Sequence, residues 1–188
     1  MNLAQYANRS LRDDKAGDGQ GGWTDQGEND LRAMPTGHQI LNGVPFDIVS
    51  ENGGKAIILA GGTLSYLPKK VENISVDCEA KSLIFLQGAA WCESSNQILW
   101  KYIVRYKDGE VVEVPVESEV NIRDWWNQPA NLGGAKIAWN GGNQVHAPVT
   151  LYMQEWINPR PDAAIDSLDI SSEGSAVPFV LAITGRSK

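Results

Sequence analysis

Short β-prone runs, separated by turn residues at intervals of about 8–12 residues, set the tightest limit on what this chain can fold into. The clearest pair is residues 98–106 (ILWKYIVRY) and 110–116 (EVVEVPV). Lys107-Asp108-Gly109 joins them, and an Asp-Gly turn tolerates the positive φ of a hairpin. Residues 82–90 (SLIFLQGAA) form a near-continuous apolar run, the pattern of a strand covered on both faces. Residues 71–78 alternate through Ile74, Val76 and Cys78. Residues 38–41, 44–49, 55–59, 120–126, 136–139, 149–156, 165–170 and 177–184 read as further strands or strand ends, with Asn42-Gly43, Asn52-Gly53-Gly54 and Asn158-Pro159 as breaks. No long amphipathic helix and no internal repeat interrupts the series. About ten short antiparallel strands in one chain predict an all-β domain, a β-sandwich or jelly roll spanning residues 1–188.

Residues 8–32 (NRSLRDDKAGDGQGGWTDQGENDLR) follow neither period. They form an Asp/Gly-rich N-terminal loop. Trp23 is its one large aromatic residue and is placed to anchor it against an apolar surface. Crowded carboxylates repel unless a cation lies among them, and hard oxygen ligands in a flexible loop suit calcium. Asn8, Asp14, Asp18 and Asp25 are the candidate ligands, with backbone carbonyls near Gly19 and Gly22. An EF-hand frame counted from Asp14 puts Ala16 at the third position and Asp25 at the twelfth, so a looser calcium loop is expected. The alternative is a tight turn in which the Asp side chains cap backbone N–H groups.

The segment NRSLRDDKAGDGQGGWTDQGENDLRAMPTGHQILNGVPFDIV, together with WWN (125–127), EWINPRPDAAIDSLDI (155–170) and VPFVLAIT (177–184), resembles non-catalytic β-sandwich modules attached to bacterial polysaccharide-degrading enzymes. These modules belong to the galactose-binding-domain-like group. The resemblance runs through nearly the whole chain. It implies a galactose-binding-like fold, a polysaccharide or oligosaccharide ligand, a parent catalytic domain such as a glycoside hydrolase, and a secreted or cell-surface setting. Related modules bind different sugars, and some bind none detectably.

Charge narrows the remaining classes. The formal net charge is -7 with a pI near 4.8. The densest basic pair is Lys69-Lys70, too little to neutralise a phosphate backbone or to bind an anionic bilayer, so neither nucleic acid nor membrane is an expected partner. No apolar run has the length of a membrane span. The start after Met1 is polar, as in a cytosolic protein or a module of a longer exported one. A monomer is expected. Cys78 and Cys92 have no zinc-site spacing. They either pair in an oxidising compartment or stand as two separate buried thiols.

Catalytic motifs are sparse. The chain has two histidines, His38 and His146, and no Gly-x-Ser-x-Gly elbow. The expectation is therefore no enzyme activity. A carbohydrate-binding module is the leading reading, a structural module packing on a catalytic domain the second, and a stand-alone hydrolase the third.

Sugars present apolar C–H faces to indole rings and ring themselves with hydroxyls that need amide, carboxylate or guanidinium partners. Trp91, Trp125, Trp126 and Trp139 each stand where a strand gives way to a polar loop. Arg123, Asp124, Asn143 and His146 lie beside them. Neighbouring side chains on a strand point to opposite faces, so one of Trp125 and Trp126 belongs to the core and the other to the surface or a loop. Trp100 and Trp156 are expected in the core. Gln87 interrupts an apolar strand and needs partners, either at a binding end or on the backbone near Gly88. Glu155, inside LYMQEW, is a further metal candidate, a water-facing edge residue, or the partner of Arg160.

Overall fold

The computed structural model describes residues 1–20, 22–62 and 64–187. Gly21 and Thr63, both within segments expected to be loops, and Lys188 lie outside the described residues. The fold is all-β and sandwich-like. Its twelve described strands are β1 (Arg9–Ser10), β2 (Gly37–Leu41), β3 (Val44–Ile48), β4 (Lys55–Ile58), β5 (Lys70–Cys78), β6 (Ser82–Ala90), β7 (Ile98–Tyr106), β8 (Val111–Glu117), β9 (Lys136–Gly141), β10 (Val149–Ile157), β11 (Ile165–Ser172) and β12 (Val177–Arg186). A 3-10 turn covers Glu51–Gly53.

The strands form a six-stranded sheet in the order β1-β4-β12-β6-β10-β9, a four-stranded sheet β5-β11-β7-β8, and the hairpin β2-β3. Every pairing between these strands is antiparallel. The hairpin turns at Asn42-Gly43, both at positive φ, as such a turn demands.

Strand β6 shows why its sequence is apolar throughout. Leu83 and Phe85 face the four-stranded sheet, where Phe85 stacks on Tyr102 with ring centroids 3.8 Å apart. Ile84 and Leu86 face the other way, into a second core. That second core is closed by the N-terminal segment and by β2-β3, through Leu11, Trp23, Leu31, Met34, Phe46 and Ile48. All nine residues of β6 are buried in consequence. In β12 the pairing with β6 slips between Val180 and Ala182, which leaves Leu181 as the extra residue of a bulge. Leu181 and Ala182 then both reach the second core, while Val180 and Ile183 reach the first.

Gln87 spans the sheets rather than bonding backbone near Gly88. The Tyr102 hydroxyl donates to its Oε1 at 2.5 Å, and its Nε2 donates to Gln154 Oε1 at 3.1 Å. Gln154 in turn donates to the Pro115 carbonyl on β8 at 3.3 Å. Gly88 itself has no room for a side chain: a Cβ there lies 2.1 Å from the Phe179 ring.

One expected strand is not formed. Residues 120–126 make only the isolated bridges Ser118↔Ile122 and Ala89↔Asp124. Glu119 adopts positive φ, and the Glu117 carbonyl accepts N–H bonds from both Val120 and Asn121, so the chain turns where the alternation suggested extension. Trp100 is fully buried, and Trp156 is half-buried against the same core.

Candidate functional site

The Asp/Gly segment folds on its own backbone. Asp13 and Asp30 are buried at 1% and 0% exposure. Asp13 accepts the N–H of Gly27 at 2.6 Å and of Lys15 at 3.2 Å. Asp30 accepts the N–H of Asp13 at 2.7 Å and pairs with Arg32 at 2.7 Å. The Arg32 guanidinium is held above its ordinary pKa chiefly by that hydrogen bond. Trp23 is the anchor its position suggests: it is fully buried, at the cost of a left-handed φ of 43°.

The four calcium candidates are engaged in other ways. The Asn8 amide donates to the Ile58 carbonyl and accepts the Ile58 N–H, both at 2.9 Å, imitating a strand. Asp14 pairs with Arg12 at 2.8 Å. Asp18 accepts the Gln20 N–H, and Asp25 accepts the N–H groups of Asp18 and Gly19. Asn8, Asp14 and Asp18 line an open groove, but Arg9, Arg12 and Lys15 line it too and supply the positive charge. Among the described residues no group of three or more His, Cys, Asp or Glu is placed to share a metal. In this structure the oxygens of these residues serve backbone N–H groups and arginines.

The aromatic end of the six-stranded sheet is organised by Asp124. Its carboxylate accepts the N–H of Cys92 and of Trp126, each at 3.0 Å. Trp125 donates its N–H to Ala89 at 2.8 Å, and its carbonyl accepts the Thr150 N–H at 2.9 Å. Residues 124–126 are thereby stitched between the end of β6 and the start of β10. Trp125 points inward and is 2% exposed, with its ring 5.4 Å from Trp23 and 6.0 Å from Phe179. Trp126 points outward and is 36% exposed.

Trp126 is held on two sides. Its indole N–H donates to Asn29 Oδ1 at 2.9 Å. The His146 ring stacks on it at 4.5 Å and 18°, and His146 Nε2 donates to the Trp126 carbonyl at 2.9 Å. Asn143 donates to Asn29 Oδ1 at 2.8 Å and caps the N–H groups of Val145 and His146 with its own oxygen. Asn29 completes the chain by donating to Gln26 Oε1 at 2.6 Å.

Trp91 follows directly on β6 and also adopts a left-handed φ, of 54°. Such a conformation is an outlier for a bulky residue and costs about 1–3 kcal/mol. In Trp23 the burial of the whole ring offsets that cost; Trp91 remains 36% exposed. Trp91, Trp125 and Trp126, with Gln26, Ala90 and Asp124, line a pocket of about 220 Å³. Among the described residues no hydrogen bond engages the Trp91 indole N–H or the Gln26 Nε2, so both are available donors at this pocket.

The structure thus gathers Trp91, Asp124, Trp125 and Trp126 around one pocket, with His146 and Asn143 behind Trp126. Trp125 contributes as floor, not as an exposed platform. Arg123 stands apart, paired with Glu119 at 2.7 Å. Trp139 also stands apart, its ring lying against Gly141 on β9. Gln26 and Asn29 were not anticipated. The polar run 26–30 is their only signal in the sequence.

The cysteine expectation resolves differently, while Glu155 takes the water-facing alternative. Cys78 and Cys92 are both free thiols, and Cys78 is exposed rather than buried. Cys92 lies beside Ser118, and burial pushes its thiol pKa up. Glu155 accepts the Ser82 hydroxyl at 2.6 Å and pairs with Arg186 at 3.3 Å, while Arg160 pairs with Asp108. No helix among the described residues is long and apolar enough to cross a membrane. Comparison of the chain with protein-family models and with curated proteins finds no match in either.

Proposed function

We propose that this chain is a non-catalytic carbohydrate-binding module of galactose-binding-like type, serving an exported polysaccharide-degrading enzyme. The observation that carries the reading is the three-tryptophan pocket, and within it Trp91. A strained backbone that leaves an indole 36% exposed at a pocket rim is a stability cost that burial offsets only in part, and such costs gather at ligand clamps. The pocket is smaller than the roughly 300–1,000 Å³ of drug-sized sites, in keeping with a single sugar ring. An indole supplies the apolar face; Gln26, Asp124 and the Trp91 N–H supply polar partners. The function is tethering: the parent enzyme gains effective concentration at its polymer without tight intrinsic binding. Affinity is modest, because hydroxyls exchange water for protein at little net gain.

The test is Trp91→Gly. Glycine relaxes the left-handed backbone and deletes the ring. Stability is expected to stay within about 1 kcal/mol, while retardation in polysaccharide affinity gels is lost. A wild-type protein retained by no polysaccharide would instead favour a structural module that packs on a catalytic domain.

A further inference from the structure

A second cleft lies at the opposite end of the same sheet. Ile84, Met153 and Leu132 form its apolar floor, the Asn42-Gly43 hairpin turn forms one wall, and Lys136 and Arg186 reach its rim. Its volume is about 350 Å³, within the range of sites that hold small organic ligands. A neighbouring hollow, lined by Lys81, Ile157 and Pro161, shares Glu155 and Arg186 with it, so the ion pair forms the waist of one longer groove. Ile84 stands six residues before Ala90 on β6, which puts this groove about 20 Å from the tryptophan pocket.

The charges in the groove run against those of the whole molecule. The chain carries a net charge of -7, yet Lys136 and Arg186 face a single carboxylate, Glu155, in the deeper cleft. Lys136 is exposed and makes no ion pair among the described residues. Arg186 comes no closer to Glu155 than 3.3 Å and makes no side-chain hydrogen bond among the described residues, while Glu155 accepts the Ser82 hydroxyl at 2.6 Å. The guanidinium therefore keeps a free edge, suited to pairing with two oxygens of an anionic group. An apolar floor beneath two cations fits a ring with C–H faces and one acidic substituent.

We propose that this groove is a second binding site, for an acidic sugar whose ring bears a carboxylate or sulfate. The sugar class rests on the carbohydrate reading above; the site rests on the groove. Glu155 competes with the ligand for Arg186.

The test is calorimetry or gel retardation of the whole chain with a uronate oligosaccharide, a sulfated oligosaccharide and a neutral one. The acidic probe of the right kind is expected to bind and to weaken as salt rises. Lys136→Gln with Arg186→Gln should lower its affinity about tenfold or more, the equivalent of one good charged contact. Trp91→Gly should leave it unchanged. Glu155→Gln frees Arg186 and should raise affinity about three- to tenfold, a gain that a merely damaged groove would not give. Binding of an acidic probe that is lost with Trp91→Gly but kept in the double variant overturns this site and leaves the tryptophan pocket standing. Binding of the neutral probe alone does the same. Binding of no acidic probe overturns this site, while the tryptophan pocket stands or falls by its own polysaccharide gels.

Discussion

The Trp23 ring lies 4.5 Å from the Phe179 ring, which joins a loop near the N-terminus to the β12 strand near the C-terminus. That contact makes the Asp/Gly segment a lid on the outer face of the six-stranded sheet. Trp125 completes the cluster, at 5.4 Å from Trp23.

Removing the Trp23 ring opens the second core to water. Trp23→Ala is expected to cost about 3–5 kcal/mol, measured by urea unfolding. Trp23→Phe is expected to cost far less. The Trp23 indole N–H is buried without a partner among the described residues, so phenylalanine keeps the apolar contact and removes an unsatisfied donor. Equal losses in the two variants would mean that ring size, not burial, sets the anchor.

The continuous apolar run of β6 made legible that both its faces are covered. It did not reveal what covers the second one, because a run of Leu, Ile and Phe carries no address. The cover proved to be Leu11, Trp23, Leu31 and Met34 of the N-terminal segment with Phe46 and Ile48 of the β2-β3 hairpin. One of Trp125 and Trp126 does point inward, but in a turn rather than along a strand. Alternation failed at residues 120–126, where the positive φ of Glu119 and the bonds from Asp124 to two backbone N–H groups override propensity. Sequence likewise shows that the Asp and Gly residues crowd carboxylates together, but not whether N–H groups or a cation will meet them.

Chelation distinguishes those two answers. With its carboxylates spent on N–H groups and Arg32, the N-terminal segment should melt at the same temperature in EDTA as in calcium. Asp30→Asn should lower stability by about 1–3 kcal/mol by weakening the bonds to Asp13 N–H and to Arg32. A melting temperature that falls in EDTA and recovers with calcium but not magnesium would restore the metal.

Acid should weaken the four-stranded sheet through Asp169. Burial alone would raise the Asp169 carboxyl, but the Asn73 N–H at 2.9 Å, Arg105 at 2.8 Å and Lys70 at 3.5 Å outweigh it and hold the pKa below the usual carboxylate value. A depressed folded pKa stabilises the fold above the unfolded value, and that contribution is lost as pH falls through the folded one. Stability should therefore decline on the acid side of the ordinary carboxylate range. Asp169→Asn should be less stable at neutral pH and show a flatter acid limb. An unchanged slope in that variant would assign the acid sensitivity elsewhere.

Asn29 is the hinge between the N-terminal layer and the aromatic end. One amide oxygen accepts from Trp126 at 2.9 Å and from Asn143 at 2.8 Å, and the side chain is 5% exposed. It does not line the tryptophan pocket, so it is a positioning residue. Asn29→Ala orphans the Trp126 indole N–H, leaves the Asn143 amide only the Asp30 carbonyl at 3.2 Å, and should cost about 1–3 kcal/mol. It should also free the Trp126 ring from one of its two restraints, leaving only the His146 stack. Retention on polysaccharide gels is then expected to weaken although no ligand contact has been removed. Asn29→Asp keeps the acceptor for both donors and should restore Trp126 and retention, even while its carboxylate loses the bond to Gln26 and faces the Gln26 oxygen. Trp126 fluorescence separates this from a general loss of fold: Asn29→Ala should shift its emission and Asn29→Asp should not. If Asn29→Ala leaves both emission and retention as in the wild type, the bond to Trp126 is packing alone and the rim of the pocket is set by Trp91 and Asp124.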